Sequence, residues 1–221
     1  MEKKGIRLDR SMAQRIGVMV LGNLCIGIAG GLYRMGRFGV DSGTCMNLGL
    51  SLLVNIQYGH MNVITNILIL AVMFFYFRHS IGAGTVINMV GVGYIADFLC
   101  WLVQDCMSVD VTMTLRIVFF ILATLFGTFG TAVYLDANLG IAPYDALSLM
   151  LQKAVPKISF RAARVLVDVI ALIIGVVTCF LAKEDMSLVI GLGTVIAALL
   201  NGHIIQFFRS RVSPILLKTK E

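Results

Sequence analysis

Ile81–Phe98 reads IGAGTVINMVGVGYIADF, and Ile190–Phe207 reads IGLGTVIAALLNGHIIQF. Laid over one another without a gap, nine of the eighteen positions are identical. An apolar composition alone gives about two, with the commonest residues at about a tenth each. Upstream, Arg15-Ile16 aligns with Arg116-Ile117, Tyr33 with Tyr134, Gly39 with Gly140 and Leu48 with Leu149. Self-similarity of this kind is the signature of a duplicated unit. The chain therefore reads as two halves, 14–104 and 111–209, flanked by a short tail over 1–13 and another over 210–221.

Composition places those halves in a bilayer. The 221 residues are 58% hydrophobic and only 14% charged, with a mean hydropathy of +0.91. A soluble domain of this size needs about 25% charged residues to wet its surface. A soluble enzyme, a disordered chain and a disulfide scaffold are all excluded. Eight apolar stretches follow, and about 20 residues cross a bilayer. Six are long enough: 14–33, 61–78, 80–103, 111–135, 162–182 and 187–208. The other two, 41–57 and 142–155, are short and carry Asp41, Ser42, Thr44 and Asn47 in one, Tyr144, Asp145 and Ser148 in the other. Each starts just after a glycine, and Pro143 stands where a first-turn proline belongs. The expected fold is an all-α, polytopic helical bundle of two four-segment repeats, with one short or re-entrant helix in each.

The net charge of +6 is concentrated at the ends: Lys3, Lys4, Arg7, Arg10 and Arg15 in front, Arg209, Arg211, Lys218 and Lys220 behind. Loops rich in Lys and Arg stay in the cytoplasm, so both termini are expected there. The tails are too short and too poor in aromatics for a nucleic-acid arm. If all eight stretches cross, the halves run parallel; if the short ones are re-entrant, each half crosses three times and the halves are inverted. Either way the outer side keeps only Arg34, Arg37, Lys183 and one of Arg78 or Arg116. Charge does not choose between the two.

Duplication with paired, interrupted short segments is the architecture of many secondary transporters, whose sites lie between the repeats. Ionisable groups at membrane depth are functional candidates. Asp145 heads the second short segment, where it either caps its own helix or holds an ion at a helix N-terminus. Asp168 follows Arg164 by four residues, on one helical face. The matching first-half positions are Asn62 and Asn66. Interhelical polar contacts contribute only about 0.6 kcal/mol each in membranes, a weak reason to bury a charge for stability alone. The expected solute site is therefore Asp41, Thr44, Asn47, Asn66, Tyr144, Asp145, Arg164 and Asp168. An exposed Arg164 would favour an anionic or zwitterionic solute, with Asp168 carrying a coupling proton. Asp97 reads as a helix-end residue snorkelling to the interface. His203 reads as a packing histidine rather than a proton relay.

Other motifs give nothing. Gly82-x-Gly84 and Gly191-x-Gly193 lack the third glycine and the preceding strand of a dinucleotide fingerprint. Together with Gly27-xxx-Gly31 they read as small residues that let helices approach. No histidine has metal-ligand spacing, the cysteines lack CxxC spacing, and there is no GxSxG, HExxH or phosphate loop. No cofactor, metal or catalytic role is expected. The partners expected are the lipid bilayer and an unidentified small solute; the small size suits a homodimer, though no residue demands one.

The Arg-Ile start of the first helix, Gly-Ile-Ala-Pro-Tyr-Asp-Ala-Leu over 140–147 and the Ile-Gly-x-Gly-Thr-Val-Ile run resemble the YczE/YitT-type family of small bacterial membrane proteins. That family commonly shows Gly-x-x-Pro-Trp/Phe-Asp where this chain has Gly140–Asp145; Tyr144 replaces the bulkier aromatic, and the first half has no proline. The resemblance implies a multi-pass protein of the bacterial cytoplasmic membrane and supplies no substrate and no catalytic residues. Two functions follow from the residues: a small permease-like transporter with its site between the halves, or a non-transporting protein that supports another membrane complex. A hydrated cavity reaching both short segments favours the first. An apolar, filled centre with Arg164 and Asp168 locked together favours the second.

Overall fold

The computed structural model describes residues 10–77, 80–106, 111–158, 160–212 and 215–216. The tail charges Lys3, Lys4, Arg7, Lys218 and Lys220 lie outside the described residues. Helices run over α1 Arg10–Gly36, α2 Ser42–Val54, α3 Tyr58–Phe77, α4 Ala83–Cys100, α5 Met113–Ala137, α6 Pro143–Ala154, α7 Phe160–Ala182 and α8 Leu192–Arg211. No strand occurs among the described residues. Five helices are long and apolar enough to span a bilayer, and a sixth span is obtained if the two arms Met186–Ala198 and Leu200–Arg211, which meet at 55° within α8, are counted as one.

Local chemistry sets the breaks. Asp41 caps α2 by accepting the Thr44 amide at 3.1 Å, and Thr112 caps α5 by accepting that of Leu115 at 3.4 Å, the usual role of short oxygen-bearing side chains at a helix start. Pro143 is the first residue of α6, where its missing N–H costs no hydrogen bond. Asn55 and Asn138 end α2 and α5 in the left-handed conformation, at φ +58° and +51°, which asparagine tolerates better than most residues.

α1 is packed between α4 and α5. Against α5 its contacts run backwards: Gly22 meets Gly130 and Tyr134, Ala29 meets Gly127, and Gly36 meets Arg116 and Phe119. The two helices are therefore antiparallel. Against α4 they run forwards, from Asn23 on Asn88 through Gly27 on Ile95 to Gly31 on Leu99. The glycines serve as the small contact residues expected of them. α5 and α8 are likewise parallel, from Phe120 beside Gly193 to Asp136 bonded to Arg209.

α2 lies along α7 in the same direction: Ser42 meets Asp168, Cys45 meets Gly175 and Gly49 meets Thr178. Asp168 is eight residues into α7, about 12 Å along it at about 1.5 Å per residue. The chain leaves α2 for Tyr58, whose ring lies 4.6 Å beneath the Arg34 guanidinium in the last turn of α1. So α2 starts deep and returns to the end at which α1 finished. α1 and α5, which open the two expected halves, run antiparallel.

Each short helix is held by elements of both halves, α2 by α3 and α7, α6 by α7 and α3. The loop before each docks on the fourth helix of the opposite half. Gly39 and Gly140 sit at φ +139° and +128°, a region open mainly to glycine. Beside Gly39, the Gly193 amide donates to the Phe38 carbonyl at 2.9 Å, and the Val40 amide to Thr194 Oγ1 at 3.1 Å. Beside Gly140, the Gly84 amide donates to the Leu139 carbonyl at 2.9 Å, and Thr85 Oγ1 to the Ile141 carbonyl at 2.9 Å. Thr85 and Thr194 each also accept the amide of their own helix-capping glycine, at 3.1 and 3.2 Å.

The outside is apolar. Phe75 is 81% exposed and Phe180 72%, among many leucines, isoleucines and valines on α3, α5 and α7. A soluble surface does not carry a belt of this kind. Asp97, near the end of α4, accepts Arg34 Nη1 at 2.5 Å and the Gly59 amide at 2.7 Å, tying α4 to α1 and α3. One expectation is corrected. His203 is exposed on α8, not packed inside.

Candidate functional site

α2 and α6 bring their N-terminal turns together beside the first half of α7. Asp168, on α7, is the junction. Its Oδ1 accepts from Ser42 Oγ at 2.6 Å and from Tyr144 Oη at 2.8 Å, and Tyr144 Oη lies 3.0 Å from Ser42 Oγ. Ser42 opens α2 and Tyr144 is the second residue of α6, so one carboxylate oxygen binds both short helices. Its Oδ2 accepts from Arg164 Nε at 3.3 Å, the helical pair that the spacing suggested.

Arg164 turns its other face to α6. Nη1 donates to Asp145 Oδ1 at 2.5 Å, and the guanidinium carbon lies 5.3 Å from the centre of the Tyr144 ring. Asp145 Oδ2 accepts the Tyr134 hydroxyl, and that hydroxyl accepts the Ala142 amide at 3.4 Å. Asp145 therefore does not cap its own helix; it spends its oxygens on α5 and α7. Asp41, one residue before α2, accepts both the amide and, at 3.2 Å, the hydroxyl of Thr44.

The electrostatics are lopsided. Asp145 and Asp168 hold one guanidinium, with Asp41 capping α2 nearby, while the N-termini of α2 and α6 each contribute about half a positive charge. The carboxylates thus occupy the places that helix N-termini offer to anions. Arg164 is not free: two carboxylates hold it, with its side chain 31% exposed. Among the described residues, no three His, Cys, Asp or Glu side chains gather as metal ligands. Two open surface clefts lie elsewhere, one beside Phe180, Leu181, Lys183 and Glu184, the other beside Leu149, Gln152, Lys153 and Pro156.

Of the expected residues, Asp41, Thr44, Tyr144, Asp145, Arg164 and Asp168 stand around the junction. Asn47 on α2 and Asn66 on α3 belong to a second polar group centred on Asn62 of α3: Asn47 Nδ2 donates to Asn62 Oδ1 at 3.1 Å, and Asn66 Nδ2 to the Asn62 carbonyl at 2.8 Å. Asn47 Oδ1 and, one turn into α6, Ser148 Oγ are buried without hydrogen-bond partners. Two members go beyond the expected set: Ser42, whose hydroxyl reaches Asp168 from the first position of α2, and Tyr134, which the sequence marks only as the match of Tyr33. A hydroxyl at the first position of a short helix is the available signal.

The chain belongs to the DUF6198 family, a family of unknown function, whose model matches residues 13–210. It is similar to an uncharacterized protein of Haemophilus influenzae, 26% identical over 195 residues, or 87% of this chain and 82% of that protein. No solved structure matches it.

Proposed function

We propose that this DUF6198 member is a small secondary transporter or permease-like protein of a bacterial cytoplasmic membrane, with its solute site between two inverted, duplicated halves. The observation that carries the reading is Asp168 Oδ1, shared by Ser42 and Tyr144 where two re-entrant helices meet. Re-entrant helices with their N-termini at a polar cluster are the usual site of such transporters. A structural pin would be built more cheaply from apolar packing, because intramembrane polar contacts contribute about 0.6 kcal/mol each.

The chemistry suits an anionic or zwitterionic solute coupled to a proton. A solute carboxylate competes with Asp145 and Asp168 for Arg164, and a proton on Asp168 releases the guanidinium to it. The matched positions Gly39 and Gly140, Thr85 and Thr194 support the duplication. The Gly-Ile-Ala-Pro-Tyr-Asp segment around Pro143 supports kinship with the YczE/YitT-type proteins. Both termini face the cytoplasm in this reading: Arg15, Lys153, Lys157, Arg164, Arg209 and Arg211 cluster at the end of the bundle where α1 starts, against Arg34, Arg37, Arg116 and Lys183 at the other.

One observation favours a supporting role in another complex instead: Arg164 is locked between Asp145 and Asp168. Thermal unfolding of the purified protein against small carboxylates and amino acids, at pH 5.5 and 7.5, decides between them. A ligand at a hundredfold its Kd stabilises by about 2.7 kcal/mol. A hit that is stronger at the lower pH and lost in Arg164→Lys supports the transporter. Well-folded protein that responds to no member of the panel favours the supporting role.

A further inference from the structure

We propose that the two loop-to-helix joints, one at each end of the bundle, are the gates of the protein and that they open in alternation. The inference rests on the transport reading for its purpose, but not for its test. At the end where α1 finishes, the Phe38–Val40 loop is held on the start of α8 by the Gly193 amide and the Thr194 hydroxyl. At the end where α5 finishes, the Leu139–Ile141 loop is held on the start of α4 by the Gly84 amide and the Thr85 hydroxyl, and the Ile141 amide donates to the Ser80 carbonyl at 3.1 Å. Each joint links one half to the other. Each leads directly into a re-entrant helix whose first turn makes the Ser42–Tyr144–Asp168 junction. Opening one joint therefore exposes the junction from one end only.

The bonding explains why such joints suit a gate. Each rests on a few hydrogen bonds between main chain and a single threonine, formed around a glycine where backbone approaches backbone. A Cβ on Gly39 would strike the Thr194 amide, and one on Gly82 the Leu139 carbonyl. Contacts of this sort are made or broken as a unit, because no flexible side chain can bridge a partial separation. In the present structure both joints are closed, as in an occluded state. Because both short helices bind the same carboxylate oxygen, displacement of one reaches the other through Asp168.

Hydrogen–deuterium exchange on the full chain in lipid nanodiscs tests this without a substrate. Thr85→Val keeps the shape of the residue and removes the hydroxyl that bonds Ile141 and Gly82. Its own joint should then exchange faster at Gly84 and Ile141 by about threefold, the shift expected from losing one intramembrane hydrogen bond. The opposite joint should exchange more slowly at Val40 and Gly193, because the state in which it is open loses population. Thr194→Val should give the reciprocal pattern, and it serves alone if Thr85→Val does not fold; Thr85→Ser should behave as the unmodified protein. Faster exchange confined to the altered joint, or at both joints together, would overturn the proposal. The transport reading would survive that result, since ligand stabilisation through Arg164 is measured separately.

Discussion

Ser42 Oγ donates to Asp168 Oδ1 at 2.6 Å across 126 residues of sequence. Tyr144 binds the same oxygen at 2.8 Å. Because the two hydroxyls share one acceptor, their contributions should not add. Ser42→Ala and Tyr144→Phe should each lower stability by about 1 kcal/mol, between the membrane average and the value for a bond to a charged group. The double variant should cost measurably less or more than the sum, with a coupling energy of at least about 0.5 kcal/mol. Thermal or denaturant unfolding of the four proteins in one detergent measures it. Strict additivity would mean that the two hydroxyls do not share a carboxylate.

Arg164 stands between Asp145 at 2.5 Å and Asp168 at 3.3 Å. Removing the cation leaves two carboxylates facing each other in a partly desolvated place. Removing one carboxylate leaves an ion pair. Arg164→Ala should therefore destabilise by about 3 kcal/mol, near the lower end for a broken buried pair because the site is partly exposed. Asp168→Asn should cost less, since the amide oxygen still accepts from Ser42 and Tyr144. If Asp168→Asn is the more damaging of the two, the guanidinium is not what holds the cluster.

Much of this arrangement was legible beforehand, for identifiable reasons. Membrane spans announce themselves through length and hydropathy, and the two short segments through Gly39, Gly140, Pro143 and their polar residues. Arg164 and Asp168 were joined by helical spacing alone. What the sequence could not carry was direction: counting Lys and Arg is symmetric between the inverted and parallel arrangements, whereas helix direction is read only from contacts such as those of α1 with α5. Ser42 escaped because its partner is 126 residues away and on a helix of the other half. Asn47 is expected at the junction as a polar residue of the first short segment, and Asn66 as the first-half match of Asp168. In space they turn to Asn62 on α3, since residues three or four apart on a helix follow its face and not a ligand. Asp145 looked like a cap because it stands in the first turn, but Arg164 and Tyr134 compete successfully for its oxygens.

Gly39 and Gly140 combine a left-handed backbone with close contact to the opposite half. Alanine at either position meets both penalties: backbone strain of about 1–3 kcal/mol and a Cβ driven into Thr194 or Thr85. Gly39→Ala and Gly140→Ala should each lose most of the monodisperse protein on size-exclusion chromatography. Gly17 and Gly202 give the control, for a Cβ there meets nothing within 4 Å. Both lie inside helices, where alanine is favoured over glycine by about 1 kcal/mol, so Gly17→Ala and Gly202→Ala should hold or raise the melting temperature. Equal tolerance at all four positions would remove the close-packed joints from the picture.

The inverted arrangement makes a prediction that the parallel one reverses. The start of α4 lies beside the end of α5, where the Ile141 amide meets the Ser80 carbonyl at 3.1 Å. The end of α5 in turn lies beside the start of α1, where Arg15 Nε donates to the Ala137 carbonyl at 2.9 Å. Ser80 is therefore on the side of the N-terminus. Met113, 61% exposed at the start of α5, is at the opposite end with Gly36. In a background lacking the five native cysteines, Met113→Cys should react with a membrane-impermeant maleimide in intact cells. Ser80→Cys should react only after the membrane is opened. If all eight stretches crossed, Arg116 and its neighbour Met113 would face the cytoplasm and Arg78 and Ser80 the outside, and the labelling would be exchanged. The same experiment reads the absolute orientation: reaction of Met113→Cys from outside, with Ser80→Cys protected, puts the end rich in Lys and Arg in the cytoplasm, as the positive-inside rule requires.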